Sequence, residues 1–129
     1  MRLLIVDDNH KNIKLLMAIL ADLGECEFVD GGKNAISAFN KAWEDWRPFN
    51  LILLDISMPD MDGQQVLSLI REIAAEKKVS AQHRVRIIMV TALSEKKVVL
   101  DCLRKGCDDF IAKPADKQLL LEKIKNLDR

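Results

Sequence analysis

Leu51-Ile52-Leu53-Leu54-Asp55 runs straight into Ile56-Ser57-Met58-Pro59-Asp60-Met61-Asp62-Gly63, and the reading of this stretch decides the fold. Four large apolar residues in a row lie between Asn50 and a carboxylate, and a Pro/Asp/Gly cluster then turns the chain. An unbroken apolar run of this length reads as a strand covered on both faces, which places it in the middle of a parallel sheet. Asp55 then stands where the strand leaves the sheet, at the carboxyl edge where open α/β sheets bind their ligands. Alone, an aspartate there would simply cap the following turn. Its neighbours give it a second meaning.

Working outward, Arg2-Leu3-Leu4-Ile5-Val6 is another continuous apolar run that ends in carboxylates, Asp7 and Asp8. From Asn9 or His10 to about Leu23, Ile13, Leu16, Met17 and Leu20 recur at helical spacing, and Gly24 stops the helix. Glu27-Phe28-Val29 is the weakest strand signal, leading through Asp30-Gly31-Gly32 into a helix expected from Lys33 to Trp46 with Ala35, Phe39, Ala42 and Trp43 inward. After the central strand, Asp62 and Gly63 open a helix carrying Val66, Leu67, Ile70 and Ile73, which fades into a charged loop reaching Arg86. Ile87-Ile88-Met89-Val90 ends in Thr91-Ala92. Ser94 is expected to cap a helix to Lys105 that stops at Gly106. Phe110-Ile111-Ala112 ends in Lys113-Pro114, and Asp116 caps a last helix with Leu120, Ile124 and Leu127.

Five strands alternating with five helices predict a doubly wound α/β fold with a parallel sheet. A chain of 129 residues suits a single domain, expected to span residues 1–129. Twenty basic side chains balance twenty acidic ones, so electrostatics gives no reason to expect direct nucleic-acid or membrane binding. With no secretory leader and no bilayer-length apolar run, a cytoplasmic location is expected. Cys26, Cys102 and Cys107 lack metal-ligand spacing and read as reduced core fillers, while His10 and His83 read as surface residues.

In the flavodoxin-like order 2-1-3-4-5 the first and third strands are neighbours, so Asp7, Asp8 and Asp55 meet. Three clustered carboxylates repel one another unless a hard cation neutralises them, and magnesium, or manganese in its place, takes such oxygen ligands. Thr91 supplies a hydroxyl and Lys113 an ammonium to the same edge. The set suits transfer of a phosphoryl group to Asp55. Each residue also has an ordinary role: Asp7 and Asp8 as helix caps, Thr91 as a strand end, Lys113 in solvent. Only the convergence of four strand ends favours the chemistry.

The segments 4–9 (LIVDDN), 53–63 (LLDISMPDMDG), 88–92 (IMVTA) and 106–114 (GCDDFIAKP) together resemble the receiver domains of two-component response regulators, of the single-domain chemotaxis type. The resemblance covers nearly the whole chain. It implies that Asp55 is the phosphoacceptor, taking its phosphoryl group from a histidine of a sensor histidine kinase or a histidine phosphotransfer protein. It implies direct magnesium ligation by Asp8, Asp55 and the backbone carbonyl of Ser57, with Asp7 acting directly or through water. Thr91 and Lys113 would bind phosphoryl oxygens, and the Lys113–Pro114 bond would be cis. Thr91 and Phe110 would form a switch acting on the fourth helix, fifth strand and fifth helix, where a downstream protein target docks. The protein would be a monomer or a phosphorylation-dependent dimer, and a phosphoacceptor rather than an enzyme. The chain departs from the usual pattern at Ala115, where phenylalanine is common, and in two long connections, 44–50 and 75–86.

Three other readings stand beside this one. A haloacid-dehalogenase-type phosphatase needs a second aspartate two residues after the first, and that position is Ser57. A receiver-like interaction module would need no phosphorylation. A receiver cut from a longer regulator or hybrid kinase would share every motif.

Overall fold

The computed structural model describes residues 1–92 and 96–127. Five parallel strands, β1 (Arg2–Val6), β2 (Glu25–Val29), β3 (Leu51–Asp55), β4 (Arg86–Thr91) and β5 (Asp109–Ala112), form one sheet in the order β2-β1-β3-β4-β5. The helices are α1 (His10–Leu20), α2 (Gly32–Glu44), α3 (Gly63–Glu76), α4 (Lys96–Arg104) and α5 (Lys117–Asn126). A 3₁₀ turn, Ala81–His83, interrupts the charged connection before β4.

The apolar runs are continuous because alternate residues serve two cores. Leu4, Val6, Ile52, Leu54, Ile87 and Met89 face α2, α3 and α4. Leu3, Ile5, Leu51, Leu53, Ile88 and Val90 face α1 and α5. All twelve are buried. Replacing any of them by a polar residue would leave an unpartnered group inside one of the two cores.

The structure corrects several boundaries. β2 starts at Glu25, earlier than its apolar residues suggest, because as an edge strand it pairs only with β1 and leaves Glu25, Glu27 and Phe28 exposed. The first helix ends at Leu20, before Leu23. The second ends at Glu44, and Trp46, expected inside it, stands outside with φ 57° and a side chain 86% exposed. The connection after it is packed: Phe49 is buried, with the Arg2 guanidinium 4.6 Å from its ring centroid. Ser94 lies outside the described residues. Of the cysteines, Cys102 and Cys107 are buried and Cys26 is half-buried, all unbridged, and both histidines are exposed. Among the described residues no helix is long and apolar enough to cross a membrane.

Candidate functional site

Register brings the strand ends together. Val6 pairs with Leu54, Asp55 with Val90, and Thr91 with Ala112, so Asp7, Asp55, Thr91 and Lys113 emerge at one level of the sheet's carboxyl edge. The Lys113 N–H also donates to the Thr91 carbonyl at 2.8 Å. Asp7 and Asp55 are buried, Asp8 is exposed, and one carboxylate oxygen from each lies within 4.8 Å of the others. The alternative of Asp7 and Asp8 as helix caps is not what is seen. Asn9 caps α1, its side chain accepting from the N–H groups of Lys11 and Asn12, and its own N–H donates to Asp7 Oδ1 at 2.9 Å.

Lys113 is held by the site, its Nζ 2.7 Å from Asp55 Oδ1. Burial pushes the Asp55 carboxyl up to about 6, the Lys113 hydrogen bond opposes this, and the charge of Asp7 adds to it. Burial alone would lower the pKa of Lys113, but its contact with Asp55 outweighs that and raises it. The pair is therefore charged at neutral pH. Two oxygens are left over: Asp7 Oδ2 and Asp55 Oδ2 are buried and have no hydrogen-bond partner. Buried anionic oxygens without donors are costly. A hard divalent cation that keeps some of its water satisfies both at once, so these residues fit magnesium.

The loop after β3 is fixed from three sides. The Ser57 N–H donates to the Asp55 carboxylate. Gly63 closes the loop: its N–H reaches the Ile56 carbonyl at 2.7 Å, and a Cβ there would lie 2.3 Å from the Asp55 carbonyl oxygen. No other residue fits that approach. Asp62 and Gln65 form a capping box at the start of α3. Asp60, read from the sequence only as a turn residue, accepts the N–H groups of Gly32 and Lys33 at 3.2 Å each, and these bonds lower its pKa. It caps α2 from a loop far along the chain. The Pro/Asp/Gly cluster signalled the loop, but no local pattern names the helix that Asp60 reaches.

Thr91 is buried and its Oγ1 donates to the Ala92 carbonyl at 3.0 Å. Phe110 is 39% exposed and forms one wall of an apolar cleft of about 310 Å³ that Thr91, Ala92, Val99, Leu100, Leu103 and Ala112 also line. Leu100 and Leu103 are also exposed, whereas Val99 and Cys102 are buried, which divides the apolar excess of α4 between core and surface. The Lys113–Pro114 bond is cis. Lys123 on α5, which the sequence did not single out, stands over the Phe110 ring.

The profile of the response regulator receiver domain matches residues 3–125. The chain is 44% identical over 125 residues to hybrid signal transduction histidine kinase L of Dictyostelium discoideum, covering 96% of this chain but only 7% of that protein's length. It is 31% identical to the chemotaxis protein CheY of Listeria monocytogenes, covering 96% of this chain and 95% of CheY. Among solved structures, the complex of CheX and CheY with BeF3 and magnesium from Borrelia burgdorferi superposes with a TM-score of 0.81 at 30% identity, covering 100% of this chain and 90% of that one. The family profile, the curated relatives and the solved structure all match along nearly the whole of this chain, and the chain belongs to the response regulator receiver domain family, the phosphoacceptor signalling domains of two-component phosphorelays.

Proposed function

We propose that Asp55 is the phosphoacceptor, that Asp7, Asp8, Asp55 and the Ser57 carbonyl hold magnesium, and that Thr91 and Lys113 receive the phosphoryl oxygens. The observation that carries this is the buried Asp55 carboxylate, held by Lys113 on one oxygen and left open on the other beside Asp7. A carboxylate oxygen of Asp55 attacks the phosphorus of a phosphohistidine. An O–P bond forms as the N–P bond breaks, and the imidazole leaves with the electron pair and takes a proton from solvent. Lys113 stays beside the reacting oxygens and offsets the added charge, and the Thr91 hydroxyl turns to donate to the phosphoryl group. Magnesium, when bound, offsets the charge gathered on the carboxylates and the phosphoryl oxygens.

The donor is a sensor histidine kinase or a histidine phosphotransfer protein in the cytoplasm. Movement of Thr91 lets Phe110 turn into the cleft behind it, which changes the face made by α4, β5 and α5 for a downstream protein. The 44% identity to a hybrid kinase favours a relay in which this receiver works within or beside such a kinase.

Intact mass after incubation with acetyl phosphate tests the assignment. The expected result is a magnesium-dependent gain of one phosphoryl group that Asp55→Asn lacks. A gain that persists in Asp55→Asn places the phosphoryl group elsewhere, and the absence of any gain moves the reading to a module that does not use phosphorylation.

A further inference from the structure

Something must hold an aromatic ring part-exposed at the wall of an apolar cleft that could take more of it. Phe110 is 39% exposed, although burying a phenylalanine side chain is strongly favourable. Two neighbours account for its position. Lys123 Nζ lies 5.3 Å from the ring centroid, within the range of a cation–π contact. The same ammonium lies 3.2 Å from Asp109 Oδ1, and that oxygen also accepts the Phe110 N–H at 2.8 Å. One carboxylate thus ties the backbone of Phe110 to the cation that covers its ring.

We propose that Lys123, anchored by Asp109, is a positioning residue that holds Phe110 outward and so sets the resting balance of the switch. This rests on the reading of Phe110 as the switch aromatic. The side chains of Lys123 and Asp109 are 22% and 30% exposed, so the ammonium is partly desolvated and its place over the ring is defined from two sides. Turning inward costs the ring its cation and buries more of it against the apolar residues of the cleft it already lines. The lost cation–π contact opposes the gained burial, so a single side chain on α5 biases the balance between the two arrangements. Because the coupling is reciprocal, a ligand at Asp55 that favours the inward ring binds more tightly when Lys123 no longer favours the outward one.

The test uses Lys123→Met, which keeps the stem and removes the charge, and Lys123→Arg, which keeps the cation. Two readouts are compared on the intact chain. The first is ¹⁹F NMR of protein labelled with fluorophenylalanine, in which Phe110 is one of four phenylalanines and is assigned by its loss in Phe110→Leu. With no phosphoryl mimic present, Lys123→Met is expected to move the Phe110 resonance toward the buried position by roughly a two- to fivefold change in the outward-to-inward ratio, the equivalent of one exposed cation–π contact. The second is the affinity for beryllofluoride with magnesium, expected to rise by up to the same factor in Lys123→Met and to stay at the wild-type value in Lys123→Arg. An unmoved resonance in Lys123→Met overturns the proposal whatever the second readout gives. A moved resonance with unchanged affinity also overturns it, since the ring is then not coupled to Asp55. If no variant, nor the wild type, binds beryllofluoride, the phosphoacceptor reading fails, while the resonance still decides what Lys123 does to the ring.

Discussion

Asp55 is ionised inside the protein against its surroundings, and this makes the stability of the fold depend on pH in a direction that can be worked out. The carboxyl has an ordinary value of 3.8 and is pushed up to about 6 in the folded chain, mainly by burial. Below pH 3.8 it is neutral in both states and burdens neither. As the pH rises through 6 the folded state must ionise it where water does not reach, so stability is lost over that window. A shift of this size corresponds to a penalty of about 3 kcal/mol, the upper limit of what a neutral side chain would recover. In the absence of magnesium, Asp55→Asn should therefore unfold at higher urea concentration than the wild type. The gap should be small near pH 4 and reach about 1–3 kcal/mol above pH 7. Magnesium should narrow it by binding the wild type preferentially. A gap that does not change with pH would show that burial of the charge is not its source.

At the scale of elements, three helices end in the same way with different residues. After α2, α3 and α4 the N–H groups of Arg47, Val79 and Cys107 reach back to the carbonyls of Ala42, Ala74 and Cys102, the Schellman arrangement. The residue in the left-handed conformation is Trp46, Lys78 or Gly106, with φ 57°, 54° and 107°. Only the third announces itself in the sequence. The end of α4 was legible from Gly106, whereas α2 was expected to run on to Trp46, since tryptophan carries no stop signal. The same logic explains β2: its strand character comes from pairing with β1 and from the ion pair of Arg2 with Glu27, not from an apolar run. The central strands were legible because burial on two faces writes itself into composition, and the carboxyl-edge acids and Lys113 because they stand where those apolar runs end. Phe49, Asp60 and Lys123 were not, because each depends on a contact across the chain. The helix ends predict opposite effects. Gly106→Ala should cost about 1 kcal/mol or more, since its Cβ adds a left-handed strain and closes to 3.3 Å from Arg71 Nε. Lys78→Gly should be neutral or stabilising by up to about 1 kcal/mol. Thermal or urea unfolding separates the two.

Over the whole molecule a formal net charge of zero hides a segregation. Acids gather at the carboxyl edge of the sheet, where Asp7, Asp8 and Asp55 meet, and arginines gather at the amino edge. There Arg71 of α3 donates to the carbonyls of Gly106 and Val85 and to Asp108, which also pairs with Arg84 and accepts the Ile87 N–H. Burial, with the nearby charge of Arg84, lowers the Arg71 pKa to about 10, which leaves it charged at neutral pH. This one side chain ties α3 to the loops that begin β4 and β5. It is the amino-edge counterpart of Lys113, a cation whose value lies in satisfying groups on several elements at once. Removing it strands the Val85 carbonyl in a half-buried place and takes one donor from Asp108 and from the Gly106 carbonyl, both of which Arg84 continues to serve. Arg71→Ala is therefore expected to cost about 2–4 kcal/mol in urea unfolding. Arg71→Met should cost nearly as much, because what is lost is hydrogen bonding more than stem packing. The two edges are separated by the length of a strand, about 15–20 Å. Magnesium affinity, measured by titration at neutral pH, should then be the same in Arg71→Met and the wild type. A weakened site in that variant would mean that α3, which starts against Asp55 through Gly63 and is anchored at its other end by Arg71, transmits strain along its length.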